Sequence, residues 1–274
     1  PFASTSQTGA VQGQPYQEQQ AFYSSASPAN VASSDYPLGY TQFEGSPLQR
    51  VVAQASAGED WSGITRAQGH HDLVYDYRAN TANEVLQMEL ADPEAFARSS
   101  DQLQAEQYYT EGELWVTITY DENQSSNSTR YAVREYKDKL DRVVLKVVEN
   151  EVGDLQTYYI YDDYNNLRAV VPPKASAQLG TNPTTGNPVV LSSSGGDELW
   201  FFFDFDARMR MTNKQVPWGD VVYMVYDNRD RLILTQDGNQ RVGNEWLMTK
   251  YDGLNRPIIT GMYQASSTYS QAQM

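Results

Sequence analysis

The chain has 274 residues, and its 35 acidic and 20 basic side chains give a formal net charge of −15. An acidic chain without a basic stripe is not expected to bind nucleic acid, because that binding depends mainly on neutralising phosphates. The absence of cysteine excludes disulfides and thiolate metal sites. No apolar run approaches the roughly 18 residues of a membrane-spanning helix. The 20 tyrosines favour strands, so the composition predicts an all-β fold.

Residues 1–35 form a low-complexity segment of Ser, Gln, Ala and Gly in which only Glu18 and Asp35 carry charge. This composition is typical of chain that becomes ordered only when something holds it. The chain opens at Pro1 without a signal peptide, and we expect it to be a section of a longer polypeptide. We predict an extended segment that runs along the rest of the protein or along a partner, with four aromatic anchors: Phe2, Tyr16, Phe22 and Tyr23.

Residues 36–112 are predicted to form an N-terminal β-rich region. Short strands are indicated at 40–43 and 48–54, separated by the turn residues Gly45-Ser46-Pro47. Alternating residues at 73–78 indicate another strand.

The strongest helical signal in the chain lies at 92–98. Asp92 suits the N-cap, Pro93 the first helical position, and Glu94 the positive end of the helix dipole. The segment is only about two turns long. The sequence therefore predicts at most one short helix in an otherwise β-stranded chain.

Residues 113–263 contain an internal repeat, in which an aspartate between two apolar strands is followed four positions later by Arg or Asn. The residue before the aspartate is aromatic in four of the five repeats, as Tyr161, Phe205, Tyr226 or Tyr251. One interval between repeats is about twice the others and contains residues 172–197, which read as one degenerate repeat or one long loop. A polar tail follows at 264–274. The five pairs are Asp138/Arg142, Asp162/Asn166, Asp206/Arg210, Asp227/Arg231 and Asp252/Arg256.

Each repeat has the chemistry of a β-hairpin corner. The aspartate carboxylate is expected to accept a hydrogen bond from the backbone N–H two residues later, as in an Asx-turn. Asn228, or Gly253 in the next repeat, is expected to take the positive φ of a tight turn. Arg231 and Arg256 are expected to pair with their aspartate or to stack on the preceding tyrosine, at about 0.2–1 kcal/mol per exposed pair.

These repeats resemble the YD repeats of bacterial RHS (rearrangement hot spot) proteins. The runs Tyr223-Met-Val-Tyr-Asp-Asn-Arg-Asp-Arg-Leu-Ile-Leu-Thr and Thr249-Lys-Tyr-Asp-Gly-Leu-Asn-Arg-Pro-Ile-Ile-Thr-Gly carry the likeness most clearly. The resemblance implies a YD-repeat β-hairpin array that forms part of a curved, shell-forming antiparallel sheet. It also implies export to the bacterial cell surface or secretion, and a hollow shell that encloses or displays a C-terminal toxin or passenger. The chain lacks the family's C-terminal core segment, so it resembles an early portion of the shell.

No catalytic constellation accompanies the repeats. The sequence has neither a glycine-rich phosphate loop followed by Lys-Ser/Thr nor a Gly-x-Ser-x-Gly elbow. His70-His71-Asp72 lacks the further spaced ligands that zinc requires, and the Asp162-to-Asn166 turn lacks the glycine and distant glutamate of a calcium loop. A sugar-binding platform of Trp200, Trp218 and Trp246 is a weaker hypothesis than core positions for these rings. We predict no catalytic residue, metal or cofactor.

Two functional hypotheses follow from the sequence. The leading one is a structural segment of an RHS shell, whose partner is the remainder of the same polypeptide. The alternative is a surface binding module, adhesin-like or recognised as cargo by a secretion-system or surface protein, and the low-complexity segment at 1–35 motivates it. A glycan-active enzyme is the weakest reading, because among 35 acidic residues some carboxylate pair will always fit such a site.

Overall fold

The computed structural model describes residues 17, 21, 23, 36, 38–58, 61, 71–90, 103–122, 132–150, 153–179, 199–268, 270, 271 and 274. These residues form a predominantly antiparallel β-protein, which confirms the predicted fold class. The chain divides into two compact units. The first comprises Pro1–Arg78, Val116–Glu135 and Val148–Asp154, and the second comprises Ala79–Trp115, Tyr136–Val147 and Leu155–Met274.

Sixteen strands and two short helices are described. The helices are α1 (Pro173–Ser176) and α2 (Gly238–Val242). The strands are β1 (Tyr40–Phe43), β2 (Val51–Ala55), β3 (Leu73–Ala79), β4 (Leu86–Leu90), β5 (Leu103–Tyr108), β6 (Trp115–Tyr120), β7 (Ala132–Lys137), β8 (Val143–Asn150), β9 (Gly153–Tyr161), β10 (Leu167–Val171), β11 (Phe201–Phe205), β12 (Met211–Gln215), β13 (Val222–Tyr226), β14 (Leu232–Gln236), β15 (Glu245–Tyr251) and β16 (Pro257–Gln264).

In the first unit the strand order is β1-β2-β3-β6. β1 pairs with β2, with Tyr40 opposite Ala55, and β2 pairs with β3, with Ala53 opposite Val74. β1 coincides with the predicted strand, but β2 begins at Val51 rather than at residue 48. The residues before Val51 form a turn instead, in which Gln49 has a φ of 48° that no strand accommodates.

In the second unit the strands from β7 to β16 lie in sequence order, and each pairs with the next. Strands β7, β8 and β9 contribute residues to both units. Each predicted turn joins an odd-numbered strand to the even-numbered strand that follows it. Because successive strands run in opposite directions, all five turns lie at the same end of the strands of this array.

A separate hairpin of β4 and β5 belongs to the second unit. The buried side chain of Asn80 holds the chain beside it. Its Oδ1 accepts a hydrogen bond from the backbone N–H of Leu114 at 2.7 Å, and its Nδ2 donates to the carbonyl of Thr110 at 3.0 Å. A buried amide with both ends satisfied fixes the geometry of this connection.

The core of the array is formed by inward-facing side chains of successive strands, such as Leu145, Ile160 and Phe202. Near its end Leu234, Trp246 and Ala265 form a buried cluster, against which Met274 packs. The segment predicted as a polar tail therefore contributes apolar residues to the core at both of its ends.

Neither of the two described helices lies at the position that the sequence indicates. The predicted helix at 92–98 falls outside the described residues. α2 begins at a capping box, in which Asp237 accepts from the N–H of Gln240 and the Gln240 side chain accepts from the N–H of Asp237. α1 begins with Pro173 at its first position. None of the described helices has the length and apolar character needed to cross a membrane.

Two further predictions concern residues 1–35 and the long interval between repeats. Of residues 1–35 only 17, 21 and 23 are described, each in helical conformation, and the rest of the predicted extended segment lies outside the described residues. In the long interval between repeats β10 pairs directly with β11, with Ala169 opposite Phe202, and no strand is described between them. The interval contains α1, and residues 180–198 lie outside the described residues.

Candidate interaction site at the repeat junctions

The structure places the five predicted pairs at five turns with the same backbone hydrogen bonds. In the Asp227 turn, the aspartate N–H donates to the carbonyl of Arg231 at 3.0 Å, and the N–H of Asp230 donates to the carbonyl of Asp227 at 3.1 Å. The register of β13 and β14 shifts by one residue at this point. Such a three-residue loop is a type I turn followed by a residue in the left-handed conformation.

The left-handed residue is the third after the aspartate, so the expectation of a positive φ at Asn228 or Gly253 was wrong. In a three-residue loop the reversal of chain direction falls on the last loop residue. That position is occupied by Asp141, Asn165, Met209, Asp230 and Asn255, with φ between 60° and 66°. Asn and Asp tolerate this conformation, and Met does not.

The aspartate carboxylate organises its own turn. Oδ1 of Asp227 accepts from the backbone N–H groups of Arg229 and Arg231 at 2.9 and 3.0 Å, and Oδ2 accepts from Nε of Arg231 at 2.8 Å. The hydrogen bond from the Arg231 side chain, with those from the backbone, lowers the pKa of Asp227 to about 2. The backbone and side chain of Arg256 lower the pKa of Asp252 in the same way.

Three of the four repeat arginines, Arg142, Arg210 and Arg231, then extend to the following repeat. The guanidinium of Arg231 lies 5.0 Å from the ring centroid of Tyr251, and its Nη1 donates to the Asp252 carbonyl at 3.3 Å and to Oδ1 of Asn255 at 3.2 Å. Arg142 lies over Tyr161 at 5.1 Å, and Arg210 lies over Tyr226 at 4.8 Å. The expected stacking on the preceding tyrosine was therefore wrong. The aspartate of the same repeat holds Nε and, in Arg210 and Arg231, Nη2 as well, which leaves Nη1 directed at the next turn.

The tyrosine hydroxyl donates a hydrogen bond to a backbone carbonyl of the previous repeat. The hydroxyl of Tyr251 donates to the carbonyl of Leu232 at 2.9 Å, and that of Tyr226 donates to the carbonyl of Met211 at 2.8 Å. Tyr161 donates to the carbonyl of Val143 at 3.1 Å. Burial raises the pKa of Tyr226, although Arg210 opposes this shift. We call the set of aspartate, arginine, next tyrosine and accepting carbonyl a repeat junction.

A further junction of this kind occurs in the first unit and was missed by the sequence pattern. Arg50 donates through Nε to Oε1 of Glu44 at 2.8 Å, and its guanidinium lies 4.3 Å from the ring centroid of Tyr77. The Tyr77 hydroxyl donates to the carbonyl of Val51 at 2.8 Å. The side chain of Arg50, followed by that of Ser46, lowers the pKa of Glu44 to about 2. The acid and the arginine are six residues apart here, so only a search with variable loop length finds them.

One junction departs from the pattern on both sides. Asn166 stands where the arginine is expected, and Phe205 stands where the next tyrosine is expected. Asn166 reaches only its own aspartate, with Nδ2 donating to Oδ2 of Asp162 at 3.0 Å. Asn166 supplies no guanidinium to the Phe205 ring, and Phe205 has no hydroxyl with which to donate to the previous repeat.

The buried side chain of Arg168 links the strands at this irregular junction. Its Nη2 donates to Oδ1 of Asp204 at 2.7 Å and its Nε donates to the carbonyl of Phe203 at 3.0 Å, while Nη1 lies 3.7 Å from Asp162. The side chains of Arg168 and Asp204 are only 7% and 12% exposed. This buried ion pair was not predicted, because an arginine inside an apolar strand gives no sign of its partner.

The other candidate sites are the histidine pair and the three tryptophans. His71 contacts the carbonyl of Glu122 through Nδ1 and packs near Trp61, and His70 lies outside the described residues. In the part of the chain that is described, no group of three His, Asp or Glu side chains is arranged to hold a metal. Trp200 and Trp246 are buried whereas Trp218 is exposed, so the three rings do not form a common platform.

Comparison with known proteins gives one family and several solved structures. Residues 1–79 match a family described only as "Domain of unknown function (DUF6443)". No curated protein matches the chain. The crystal structure of TcdB2-TccC3 matches with a TM-score of 0.50 and 11% identity, over 84% of this chain and 9% of that one.

The likeness is one of fold. Two related crystal structures, TcdB2-TccC3-TEV and TcdB2-TccC3-Cdc42, match with TM-scores of 0.42 at 12% and 11% identity, each over 88% of this chain and 11% of the other. This chain therefore spans about a tenth of the length of the structures it matches. The similarity to the TcdB2-TccC3 structure, at a TM-score of 0.50, is a likeness of the antiparallel β fold alone.

Proposed function

We propose that this chain is a structural wall segment of a large exported RHS protein. The wall belongs to a hollow β-shell that encloses or displays a C-terminal toxin or passenger, and the shell is secreted or held at the bacterial cell surface. The repeat junctions carry this proposal. Their charged side chains are engaged with one another, so they hold neighbouring hairpins in register rather than facing a substrate.

The chemistry of the junctions supports a structural and not a catalytic role. Asp227, Arg231 and Tyr251 together satisfy four backbone groups of two successive hairpins, as well as one another. A nucleophile or general base needs an unoccupied lone pair that faces a cleft. Here the carboxylate lone pairs accept hydrogen bonds that fix the geometry of the turns, which is what a wall of many hairpins requires.

Electron microscopy of the complete natural polypeptide that contains these residues tests the proposal. An epitope inserted after Leu254, at an exposed turn, marks the edge of the array. The proposal expects the label on the wall of a hollow particle. A label on a separate compact module outside any shell contradicts it.

A surface binding module is the second candidate, because the family match at 1–79 covers the first unit's leading segment and not the repeats. Under this reading residues 1–35 bind a secretion-system or surface protein. Their deletion should then abolish co-purification of that partner and leave the array folded. Retention of the partner after deletion argues against the second candidate and leaves the first unaffected.

A further inference from the structure

The irregular junction of Asn166 and Phe205 keeps groups that hold a guanidinium at the regular junctions. At a regular junction the arginine contacts the carboxylate of its own aspartate, the aromatic ring of the next repeat and the carbonyl of the next aspartate. The equivalent groups here are the Asp162 carboxylate, the Phe205 ring and the Asp206 carbonyl. The arginine is replaced by Asn166, whose Nδ2 donates to Oδ2 of Asp162 at 3.0 Å.

These residues line a cavity of about 850 Å³, which lies within the second unit. The turns that begin at Asp162 and Asp206 form two of its walls, and Phe205, Ala207 and Met209 add apolar surface. Ligand sites in proteins have volumes of about 300–1,000 Å³. The cavity is therefore large enough for a cation that carries an alkyl chain.

The lining of the cavity carries an excess of negative charge. Arg168 supplies one guanidinium, which belongs to the inner wall because its Nη2 donates to Oδ1 of Asp204 at 2.7 Å. Arg210, on the neighbouring strand, donates through Nε to Asp206. An acidic cavity with an aromatic wall favours a cation as its ligand. The four carboxylates of the lining are those of Asp162, Asp163, Asp204 and Asp206.

We propose that this cavity binds an alkylguanidinium group that comes from outside the array. The flat face of the group lies against the ring of Phe205, and its N–H groups donate to the Asp206 carbonyl. The carboxylates of Asp162 and Asp163 balance its charge. The chemical class of the ligand is specified by the chain itself, because three regular junctions place an arginine guanidinium on the equivalent ring and carbonyl.

One contact of the regular junctions is missing at this site. In those junctions Nη1 also donates to a side-chain oxygen on the left-handed residue of the next turn, which is Asn165, Asp230 or Asn255. At the irregular junction that position is occupied by Met209, which has a φ of 60°. Met209→Asn supplies the missing oxygen, so we expect it to tighten binding of the guanidinium.

The test is a titration of the full 274-residue chain, followed by the amide resonances of Ala207 and Arg208 in NMR spectra. The probe is ethylguanidinium, and the control ligand is ethylurea, which has a similar shape and no charge. We expect saturable shifts with ethylguanidinium and a dissociation constant for ethylurea that is about fivefold higher or more.

Four variants show whether the ligand lies at the irregular junction. Asn166→Arg fills the cavity with the chain's own guanidinium and should abolish the saturable shifts. Asn228→Arg adds the same charge at an exposed turn position and should leave the dissociation constant within about twofold. Met209→Asn should lower the dissociation constant about 2–10-fold, and Phe205→Leu should raise it about 2–5-fold.

Three results overturn the inference: no saturable shift with ethylguanidinium, equal binding of ethylurea, or unchanged binding in Asn166→Arg. If Phe205→Leu does not fold, Asn166→Arg and Met209→Asn still decide, because the introduced residue types stand at the equivalent positions of other repeats. Weaker binding in Met209→Asn also contradicts the placement of the guanidinium beside the Asp206 turn.

Two sources share this ligand chemistry: the arginine side chain of another polypeptide segment and a free alkylguanidinium compound. A capped tripeptide, acetyl-Gly-Arg-Gly-amide, is compared with ethylguanidinium to distinguish them. Tighter binding of the tripeptide supports the site and identifies a polypeptide as the source, because the backbone beside the arginine then adds contacts. Tighter binding of ethylguanidinium supports the site and identifies a small molecule.

Discussion

The guanidinium of Arg231 lies over the ring of Tyr251, which belongs to the next repeat, while its Nε remains bonded to Asp227 in its own turn. One side chain thus links two successive hairpins. The Tyr251 hydroxyl completes the link by donating to the carbonyl of Leu232. The relationship recurs at Arg142/Tyr161 and at Arg210/Tyr226, so at three junctions a directional contact joins one repeat to the following one.

The hydroxyl contribution can be measured at one junction. Tyr226→Phe removes the donor to the Met211 carbonyl and keeps the ring under Arg210. We expect it to lower the free energy of unfolding by about 0.5–1.5 kcal/mol, the usual net value of such a bond. Tyr164→Phe, at an exposed turn position, is the control and should change it by less than about 0.5 kcal/mol. Equal values for both variants in urea denaturation would speak against the hydrogen bond.

The left-handed turn residue predicts a stabilising substitution. Met209 has a φ of 60° and an exposed side chain, so it bears backbone strain with little packing in return. Met209→Asn should raise the free energy of unfolding by about 1 kcal/mol, because Asn tolerates this conformation. Met209→Leu keeps the strain and is expected to give no gain. A gain with Leu, or none with Asn, shows that backbone strain is not the cause.

The turn carboxylates predict a loss of stability in acid. The pKa of Asp227 falls from an ordinary 3.8 to about 2 in the folded chain, so its stabilisation is fully present above the unfolded value. That stabilisation is lost as the pH falls from about 5 towards about 2. The pKa values of Asp252 and Glu44 shift in the same direction.

The acid prediction is checked by urea denaturation at several pH values. Asp227→Asn keeps an oxygen for the Asx-turn but removes the charge, so its free energy of unfolding should fall less steeply between pH 5 and pH 2 than that of the native chain. Asp163→Asn, at an exposed position in a turn, is the control for removing one carboxylate charge. Parallel slopes for the native chain and Asp227→Asn would rule out this carboxylate as a source of the pH dependence.

The ion pair at the irregular junction predicts the largest single loss. Arg168→Met leaves the carboxylate of Asp204 buried without its guanidinium, at a cost of about 3–5 kcal/mol. Adding Asp204→Asn removes the stranded charge and should recover much of the loss. Arg208→Ala, which breaks an exposed pair with Asp230, should cost less than about 1 kcal/mol. Similar costs for the buried and exposed arginines in thermal unfolding would contradict this account.

The sequence predicts the turns correctly but not the contacts between successive repeats, and the reason is physical. An aspartate that accepts from backbone N–H groups two and four residues later acts within five residues, so spacing alone reveals it. The arginine's second partner lies on the next hairpin, and its direction depends on where the first bond points the guanidinium. Arg50 and Glu44 escaped detection because a longer loop separates them, although the same three contacts form.

The irregular junction is a second case in which a contact between repeats could not be predicted from the sequence. Asn166 and Phe205 are each a conservative-looking departure in the sequence, but they face one another across a junction. Asn166 has no guanidinium and Phe205 has no hydroxyl, so both contacts of the regular junction are absent here. Only the fold, which brings residues 166 and 205 into successive repeats despite the long interval between them, makes this correspondence visible.

A pair of double-mutant cycles tests the directional junction most directly. The first combines Arg231→Ala with Tyr251→Leu, across repeats, and the second combines Arg231→Ala with Tyr226→Leu, within one repeat. We predict a coupling free energy of about 0.5–1 kcal/mol or more in the first cycle and within about 0.3 kcal/mol of zero in the second. Coupling confined to Tyr226, or absent from both cycles, would contradict the account of a wall held together from each repeat to the next.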